Sequence, residues 1–314
     1  MYKRQVLDGL SANPKYLSSK YFYDEIGDRL FQQIMAMPEY YLTDCEMEIF
    51  SEQTSKIIDS FGFAEDQRFD IIELGAGDGS KTIHLLRYLL EQQYNFQYLP
   101  VDISSNALEM IYNNLIQALP SLQVETMQGE YFSVLEKRMN TPNPKVVLFI
   151  GSNLGNFEDD HANQFICSIA QKLNSGDKLL LGLDQIKSRD IVLPAYNDAA
   201  GITKAFNLNL LTRINREMDA DFNVDAFAHR PDYSEITGYT KSYLESLDDQ
   251  VVTIGALNRS FTFIQGEMIH TETSRKYNDE LLAEILTNTG LEITHKFTDQ
   301  RGYFADYVLT KVWG

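Results

Sequence analysis

Residues Asp70 to Thr82 read DIIELGAGDGSKT. Ile71, Ile72 and Leu74 make a short apolar run that carries one acid, Glu73, and breaks into alternating glycines. A short continuous apolar run bounded by glycine is the pattern of a strand covered on both faces. Gly75, Gly77 and Gly79 permit backbone angles and a close approach that a Cβ would obstruct, and the helical pattern from Lys81 to Leu90 leaves free N–H groups at its start. The stretch is expected to form a buried strand, a turn against which something polar sits, and a helix.

The spacing narrows the ligand. The dinucleotide fingerprint places glycines at its first, third and sixth positions; here they fall at the first, third and fifth, with Lys81 after Ser80. The phosphate-cradling pattern GxxxxGK[ST] is absent, and Glu73 and Asp78 flank the turn with negative charge. The form E-L-G-x-G-x-G resembles the first motif of S-adenosylmethionine-dependent methyltransferases, whose cofactor carries a sulfonium cation and no phosphate. A second strand-like run, FQYLPVDI over 96–103, contains Asp102, 23 residues beyond Gly79 (102 minus 79). A doubly wound fold places an acid there to accept from both ribose hydroxyls, so Asp102 is the expected ribose ligand. An Asp beside Ser104 and Ser105 also suits the cap of a helix over 104–115, and both readings can hold at once.

With 314 residues, 44% of them hydrophobic, the chain can bury a large core in one large domain or two moderate ones. A formal net charge of −18 argues against nucleic acid or an anionic membrane as partner and favours a small neutral or zwitterionic substrate. Cys45 and Cys167 are the only cysteines and lack CxxC spacing, and His84, His161, His229, His270 and His295 show no HExxH or paired ligand spacing. Neither a disulfide framework nor a metal is expected. The amino-terminal stretch MYKRQVLDGLSANPKYLSSKYFYDEIG has no apolar run of signal-peptide length, and no segment approaches a membrane span, so a cytoplasmic protein, expected to be monomeric, is indicated.

Ahead of the glycine stretch, Phe31, Ile34 and Met35 recur at helical spacing until Pro38, and Thr43 with Glu46 three residues on reads as a capping box opening another helix. Tyr21, Phe22, Tyr23, Tyr40 and Tyr41 make this segment rich in aromatics. Behind it the pattern alternates: a helix over 106–118, a strand over 123–127, the turn Gly129-Glu130-Tyr131, a strand over 145–150, the turn GSNLGN over 151–156, a helix over 159–173 and a strand over 178–183. This succession predicts an α/β, Rossmann-like doubly wound sheet. From Pro194 the rhythm changes to one long helical stretch over 196–218 and then to strand-like segments, before a helix over 279–289 and strands over 291–297 and 303–311 resume it. The expected organisation is a cofactor-binding domain of residues 55–185 plus 276–314, and an inserted mixed α/β substrate-binding domain of residues 1–54 plus 186–275.

In this order the chain resembles, over almost its whole length, the histidine-specific Nα-methyltransferases of ergothioneine biosynthesis. The blocks that carry the likeness are YFYDEIGDRLFQQIMAMPEYY, ELGAGDGSKT, GSNLGNF with LLLGLDQIK, AYNDAAGITKAFNLNLLTRINREMDADFNVDAF, and TETSRKY. The resemblance implies a class I methyltransferase sheet with S-adenosylmethionine held by Tyr23, Gly75, Gly77, Lys81 and Asp102, with Glu130 and Tyr131 at its adenine. The family pattern at that last site is Gly-Asp-Phe, and this chain has Gly-Glu-Tyr. It implies a free amino acid bound by Tyr40, Asn156, Tyr196, Glu272 and Ser274, with Tyr23, Asn156 and Tyr196 acting at the reacting amine. Asn156 and Tyr196 would donate to the substrate carboxylate, while Glu272 would accept from an imidazole N–H and Ser274 would serve the other nitrogen as donor or acceptor. The implied product is histidine betaine. Where the family has a methionine against the substrate ring, this chain has Ser242, and related enzymes act on tryptophan derivatives. Another aromatic amino acid, a homologue that binds without turnover, and a protein substrate are the competing readings.

Overall fold

The computed structural model describes residues 2–138, 141 and 143–312; the outermost ends of the two expected domains, at 1 and at 313–314, lie outside the described residues. The chain divides into two compact units, Met1–Tyr41 with Ile186–Lys276, and Leu42–Gln185 with Tyr277–Gly314. Residues 42–54 therefore go with the sheet unit, and Lys276 goes with the insertion.

The larger unit is built on a seven-stranded sheet in the order Leu291–Thr298, Phe304–Lys311, Lys178–Asp184, Lys145–Phe149, Phe69–Leu74, Phe96–Asp102, Met127–Gln128. All neighbours run parallel except Phe304–Lys311, which is antiparallel to the strands on both sides of it. The glycine-stretch strand Phe69–Leu74 is interior to the sheet and buried at every position, as expected of a strand covered on both faces. After it the chain moves outward to Phe96–Asp102 and Met127–Gln128, then crosses back to Lys145–Phe149 on the other flank. That reversal makes the carboxyl ends of Phe69–Leu74 and Lys145–Phe149 a switch point, where open α/β sheets bind ligands. Of the two buried acids in this strand, Asp70 and Glu73, Glu73 accepts hydrogen bonds from Thr82 Oγ1 at 2.9 Å and Tyr98 Oη at 2.5 Å. It thereby ties the strand to the next helix and the next strand.

Three sequence expectations need correcting here. The strand over 123–127 shrinks to Met127–Gln128 with a single bridge between Tyr98 and Val124, because Gln123 and Glu125 are exposed and give that edge little apolar surface to bury. The helix expected from Asp279 stops at Ile285. Thr43 caps nothing: its helix begins at Tyr41, so Thr43 lies within the first turn and Glu46 is free for other contacts.

The smaller unit has a four-stranded sheet, ordered Lys15–Tyr16, Met268–Arg275, Tyr239–Ser246, Phe227–Tyr233, and a hairpin of Gln250–Ile254 with Arg259–Phe263. Helix Ile202–Met218 supplies Phe206, Leu210, Leu211, Ile214 and Met218 to a core shared with Phe22, Ile34, Leu244 and Ile269. The single helix expected over 196–218 is broken. Leu193–Tyr196 is a separate 3₁₀ turn, Gly201 adopts φ 75°, and the Asp198 carboxylate accepts from the N–H groups of Ile202 and Thr203 at 2.8 Å each. A carboxylate on the first free N–H groups starts a helix afresh, and Tyr196 is set apart from it. Among the described residues no helix is long and apolar enough to cross a membrane.

Candidate active site

In the sheet unit, Gly75, Gly77 and Gly79 take φ of 72°, 58° and 74°, a region that side-chain-bearing residues rarely adopt. Gly75 is needed twice over, because a Cβ on it would come 2.8 Å from the Tyr131 hydroxyl. Its N–H continues the parallel ladder to the Val101 carbonyl at 3.0 Å, holding the loop beside the end of Phe96–Asp102. Asp102 ends that strand, half-buried, and one of its oxygens accepts from Ser104 N at 2.8 Å. The cap of helix Ser105–Ala118 is Ser104, whose hydroxyl accepts from Ala107 N at 3.2 Å; the capping reading of Asp102 does not hold. Tyr131 opens helix Tyr131–Arg138 and stacks edge-on to Phe149 at 6.4 Å. Burial raises its phenol pKa, and the charges of Asp102 and then Glu130 raise it further. Gly75, Asp102, the exposed Glu130 and Tyr131 are thus one cluster at the ends of two adjacent strands.

Lys81 stands immediately before helix Thr82–Glu91, and its ammonium donates to Glu46 Oε2. Burial pulls the lysine pKa down, but the charge and hydrogen bond of Glu46 outweigh it, so the pKa is raised and the cation is kept. The other Glu46 oxygen accepts from Gly151 N at 2.8 Å, at the start of the GSNLGN turn. Behind Glu46 lies a second buried acid, Asp306, whose strand partner is Gly182. A Cβ on Gly182 would collide with Glu46 Oε1 and come 2.9 Å from Asp306 Oδ1, so glycine lets two carboxyl groups converge there. Burial, then the neighbouring Glu46 charge, push the Asp306 carboxyl well above the usual range, and neither of its oxygens has a hydrogen-bond partner among the described residues. Asn156 ends the 3₁₀ turn Asn153–Asn156 of this unit and is exposed.

The smaller unit gathers Tyr23, Tyr40, Tyr196, Glu272 and Ser274. Glu272 and Ser274 alternate along Met268–Arg275 opposite Ser242 and Thr240 of Tyr239–Ser246, just past a bulge between His270 and Glu272. Burial lifts the Glu272 carboxyl to about 7, against the opposing Lys276 charge and a hydrogen bond from Ser242 at 3.4 Å. Ser274 Oγ accepts from Tyr196 Oη at 2.8 Å and from Lys276 Nζ at 2.9 Å, and Lys276 also donates to Tyr196 Oη at 2.6 Å. Lys276 itself is 0% exposed, its ammonium 4.7 Å from the Tyr196 ring centroid. Tyr23 sets its ring edge-on to Phe31 and Phe206 at 5.5 and 5.8 Å, and Tyr40 meets Phe31 at 6.5 Å. Although Tyr23 is 47% exposed as a residue, desolvation around its phenol, then the Glu272 charge, raise its pKa and keep it protonated.

Tyr23, expected at the cofactor, has its ring contacts and its charged neighbour within the insertion unit. Tyr196, expected to donate to a substrate carboxylate, gives its single proton to Ser274. The residues missed from sequence are Lys276 and Asp306, and the sequence reading makes Glu46 only a capping partner. Lys276 carried a signal, since 272, 274 and 276 alternate onto one face of an extended chain. So did Asp306, an acid inside the apolar run FADYVL.

The donors fit a methylsulfonium cofactor: a retained cation at Lys81 for its carboxylate, an acid at Asp102 for its diol, and a turn open at Gly77, where an added Cβ would meet nothing within 4 Å. A family profile described as "Histidine-specific methyltransferase, SAM-dependent" matches residues 2–311. The chain is 34% identical over 302 residues to a histidine N-alpha-methyltransferase of Mycolicibacterium smegmatis and 32% identical over 303 residues to one of Mycobacterium tuberculosis, covering in each case 96% of this chain and 92% of the other. It is 26% identical over 324 residues to an L-tryptophan methyltransferase of Psilocybe serbica, covering 95% of this chain and 90% of that one. The chain belongs to the histidine-specific, S-adenosylmethionine-dependent methyltransferase family, whose members use S-adenosylmethionine to methylate an amino acid.

Proposed function

We propose that this enzyme methylates the α-amine of free L-histidine, stepwise to the trimethylated betaine, with the sheet unit holding the methyl donor and the insertion unit holding the amino acid. The observation that carries the choice of substrate is the Glu272–Ser274 pair, an acid and a hydroxyl two residues apart on one strand face. An imidazole has two ring nitrogens to satisfy such a pair, and an aliphatic side chain would leave the acid unpaired, at a cost of about 1–3 kcal/mol or more.

S-adenosylmethionine, when bound, supplies an electrophilic methyl on a sulfonium, so the protein's work is mainly positional. Lys81, kept cationic by Glu46, would hold the donor's carboxylate, Asp102 its ribose hydroxyls, and Tyr131 and Glu130 its adenine. Tyr40 would wall the amino acid, and Asn156, in the sheet unit, has a side-chain amide of the kind that donates to a carboxylate. Tyr23, held as a phenol, can accept from an amine N–H and so aim the lone pair without competing as a nucleophile. Tyr196 would act through Ser274 rather than on the carboxylate.

Incubating the purified protein with S-adenosylmethionine and an equimolar pool of free amino acids, then reading masses, tests this directly. Histidine gaining successive methyl groups is expected. Preferential methylation of tryptophan, which the smaller Ser242 and the tryptophan-acting relative support as the second reading, would overturn the substrate assignment.

A further inference from the structure

Four residues of helix Ile202–Met218 fall on one stripe: Phe206, Asn209, Arg213 and Arg216, spaced by three, four and three. All four contact one short segment, Tyr21–Asp24. Phe206 sets its ring 4.6 Å from that of Phe22 and 5.8 Å from that of Tyr23. Arg213 donates from one guanidinium nitrogen to two backbone carbonyls, that of Tyr21 at 2.9 Å and that of Tyr23 at 3.3 Å. Its Nε is held in turn by Glu217 at 2.9 Å. Asn209 Nδ2 and Arg216 Nη2 donate to different oxygens of the Asp24 carboxylate, at 2.9 Å and 2.6 Å. The oxygen that Asn209 meets also caps helix Glu25–Met35 through Gly27 N at 2.8 Å. Against burial, the hydrogen bonds from Arg216, Gly27 and Asn209 hold the Asp24 carboxyl down at about 2, so this grip stays charged at every working pH.

Tyr23 sits inside the grip. Its carbonyl is held by Arg213, the residue after it is pinned through its side chain, and its ring stands edge-on to Phe31 and Phe206. Its hydroxyl has no hydrogen-bond partner among the described residues. With Tyr23 47% exposed, core packing does not account for so many tethers on its backbone. We propose that Arg213, with Asn209 and Arg216, is a positioning residue that fixes the backbone on both sides of Tyr23 and thereby aims its phenol at the reacting amine. The inference rests on the reading of Tyr23 as the group that accepts from the amine N–H. A tyrosine has only two side-chain torsions, and its hydroxyl stands at the end of a long arm. A small rotation of the backbone at residue 23 therefore becomes a large displacement of the oxygen, and a misplacement of about 1 Å can cost about a hundredfold in rate.

The test is a double-mutant cycle between Arg213→Met and Tyr23→Phe, read as kcat at saturating S-adenosylmethionine and histidine. Arg213→Met alone should lower kcat about tenfold and leave cofactor affinity, by calorimetric titration, within about twofold. In the Tyr23→Phe background the hydroxyl to be aimed is gone, and the same change should cost less than about twofold. Amide hydrogen exchange needs no turnover: a peptide over 19–24 should lose about tenfold in protection in Arg213→Met, while strand Met268–Arg275 keeps its own. If Arg213→Met does not fold, the exposed Arg216→Met takes its place in the cycle, with an expected loss of about threefold in kcat. An equal loss in both backgrounds, an unchanged kcat, or unchanged exchange over 19–24 overturns the clamp. A Tyr23→Phe variant that keeps wild-type kcat overturns the role of Tyr23 at the amine, and this inference with it, while leaving histidine methylation standing. Should the amino-acid pool single out a substrate other than histidine, the same cycle run on that amino acid reads the clamp independently of the substrate assignment.

Discussion

Ser242 and Glu272 face each other across two antiparallel strands, with the serine hydroxyl 3.4 Å from the carboxylate. Where the resembling family has a methionine against the substrate ring, this chain gives the acid a hydrogen-bond donor instead. Burial holds the Glu272 carboxyl near 7, and the Ser242 bond is one of the two influences that keep it from going higher. Histidine affinity, measured by calorimetric titration, should therefore tighten as pH rises through about 7, as Glu272 becomes an acceptor. Ser242→Ala should move that rise to higher pH. Glu272→Ala should weaken histidine binding by about tenfold or more, since a hydrogen bond to a charged group is worth about 1.5–3 kcal/mol, and it should leave cofactor affinity almost unchanged.

Asp102 has one oxygen engaged by the Ser104 turn, and the ribose role proposed for the other can be tested separately. One accepts from Ser104 N at 2.8 Å, and the other would serve the cofactor ribose. Asp102→Asn keeps a carbonyl oxygen for the Ser104 turn and loses the charged acceptor, so cofactor binding should weaken about tenfold with little change in Tm. Asp102→Ala should weaken binding further and lower Tm as well. Unchanged cofactor affinity in both variants would leave Asp102 with only its turn role.

Burial, then the Glu46 charge, raise the Asp306 carboxyl well above its ordinary value. The folded state thus holds a proton that the unfolded chain releases above about pH 4, the ordinary carboxyl value. This contribution to stability is full below that pH and declines as pH rises toward the folded pKa. Asp306→Asn cannot ionise, so its stability relative to wild type should improve from pH 5 to pH 8 in denaturant unfolding. A constant difference across that range would show that Asp306 is not the group that keeps the proton.

His229 lies on strand Phe227–Tyr233, 7% exposed, and neither ring nitrogen has a hydrogen-bond partner among the described residues. Burial lowers its pKa to about 4, against the opposing charge of Asp198. Its contribution is fully present above the unfolded value of about 6.5 and is lost as pH falls from there through about 4, amounting to about 3 kcal/mol at most. His229→Leu should flatten the acid limb of the stability curve in that window. A variant whose curve parallels wild type between pH 7 and pH 4 would place the acid sensitivity elsewhere.

Much of this protein is written locally in the chain. The apolar run Ile71–Leu74 with its three glycines, the acid at Asp102 and the return of helix and strand after the insertion all depend on backbone geometry within a few residues, and spacing encodes that directly. Even the break at Gly201 was available locally: a glycine inside a helical pattern is tolerated often enough to be passed over, and only the Asp198 side chain on the next two N–H groups marks it as a start. The rest depends on which strands become neighbours. Lys81 meets Glu46 from 35 residues away, Lys276 meets Tyr196 from 80, and Asp306 reaches Glu46 only because Gly182 is its strand partner. Burial and charge pairing are properties of the packed interior, where one missing Cβ lets two acids approach and one ammonium meets two hydroxyls. No short-range pattern records them, so the sequence by itself determined the sheet, its cofactor loop and the residue types of the site, while the tertiary structure decided their protonation and the direction of their hydrogen bonds.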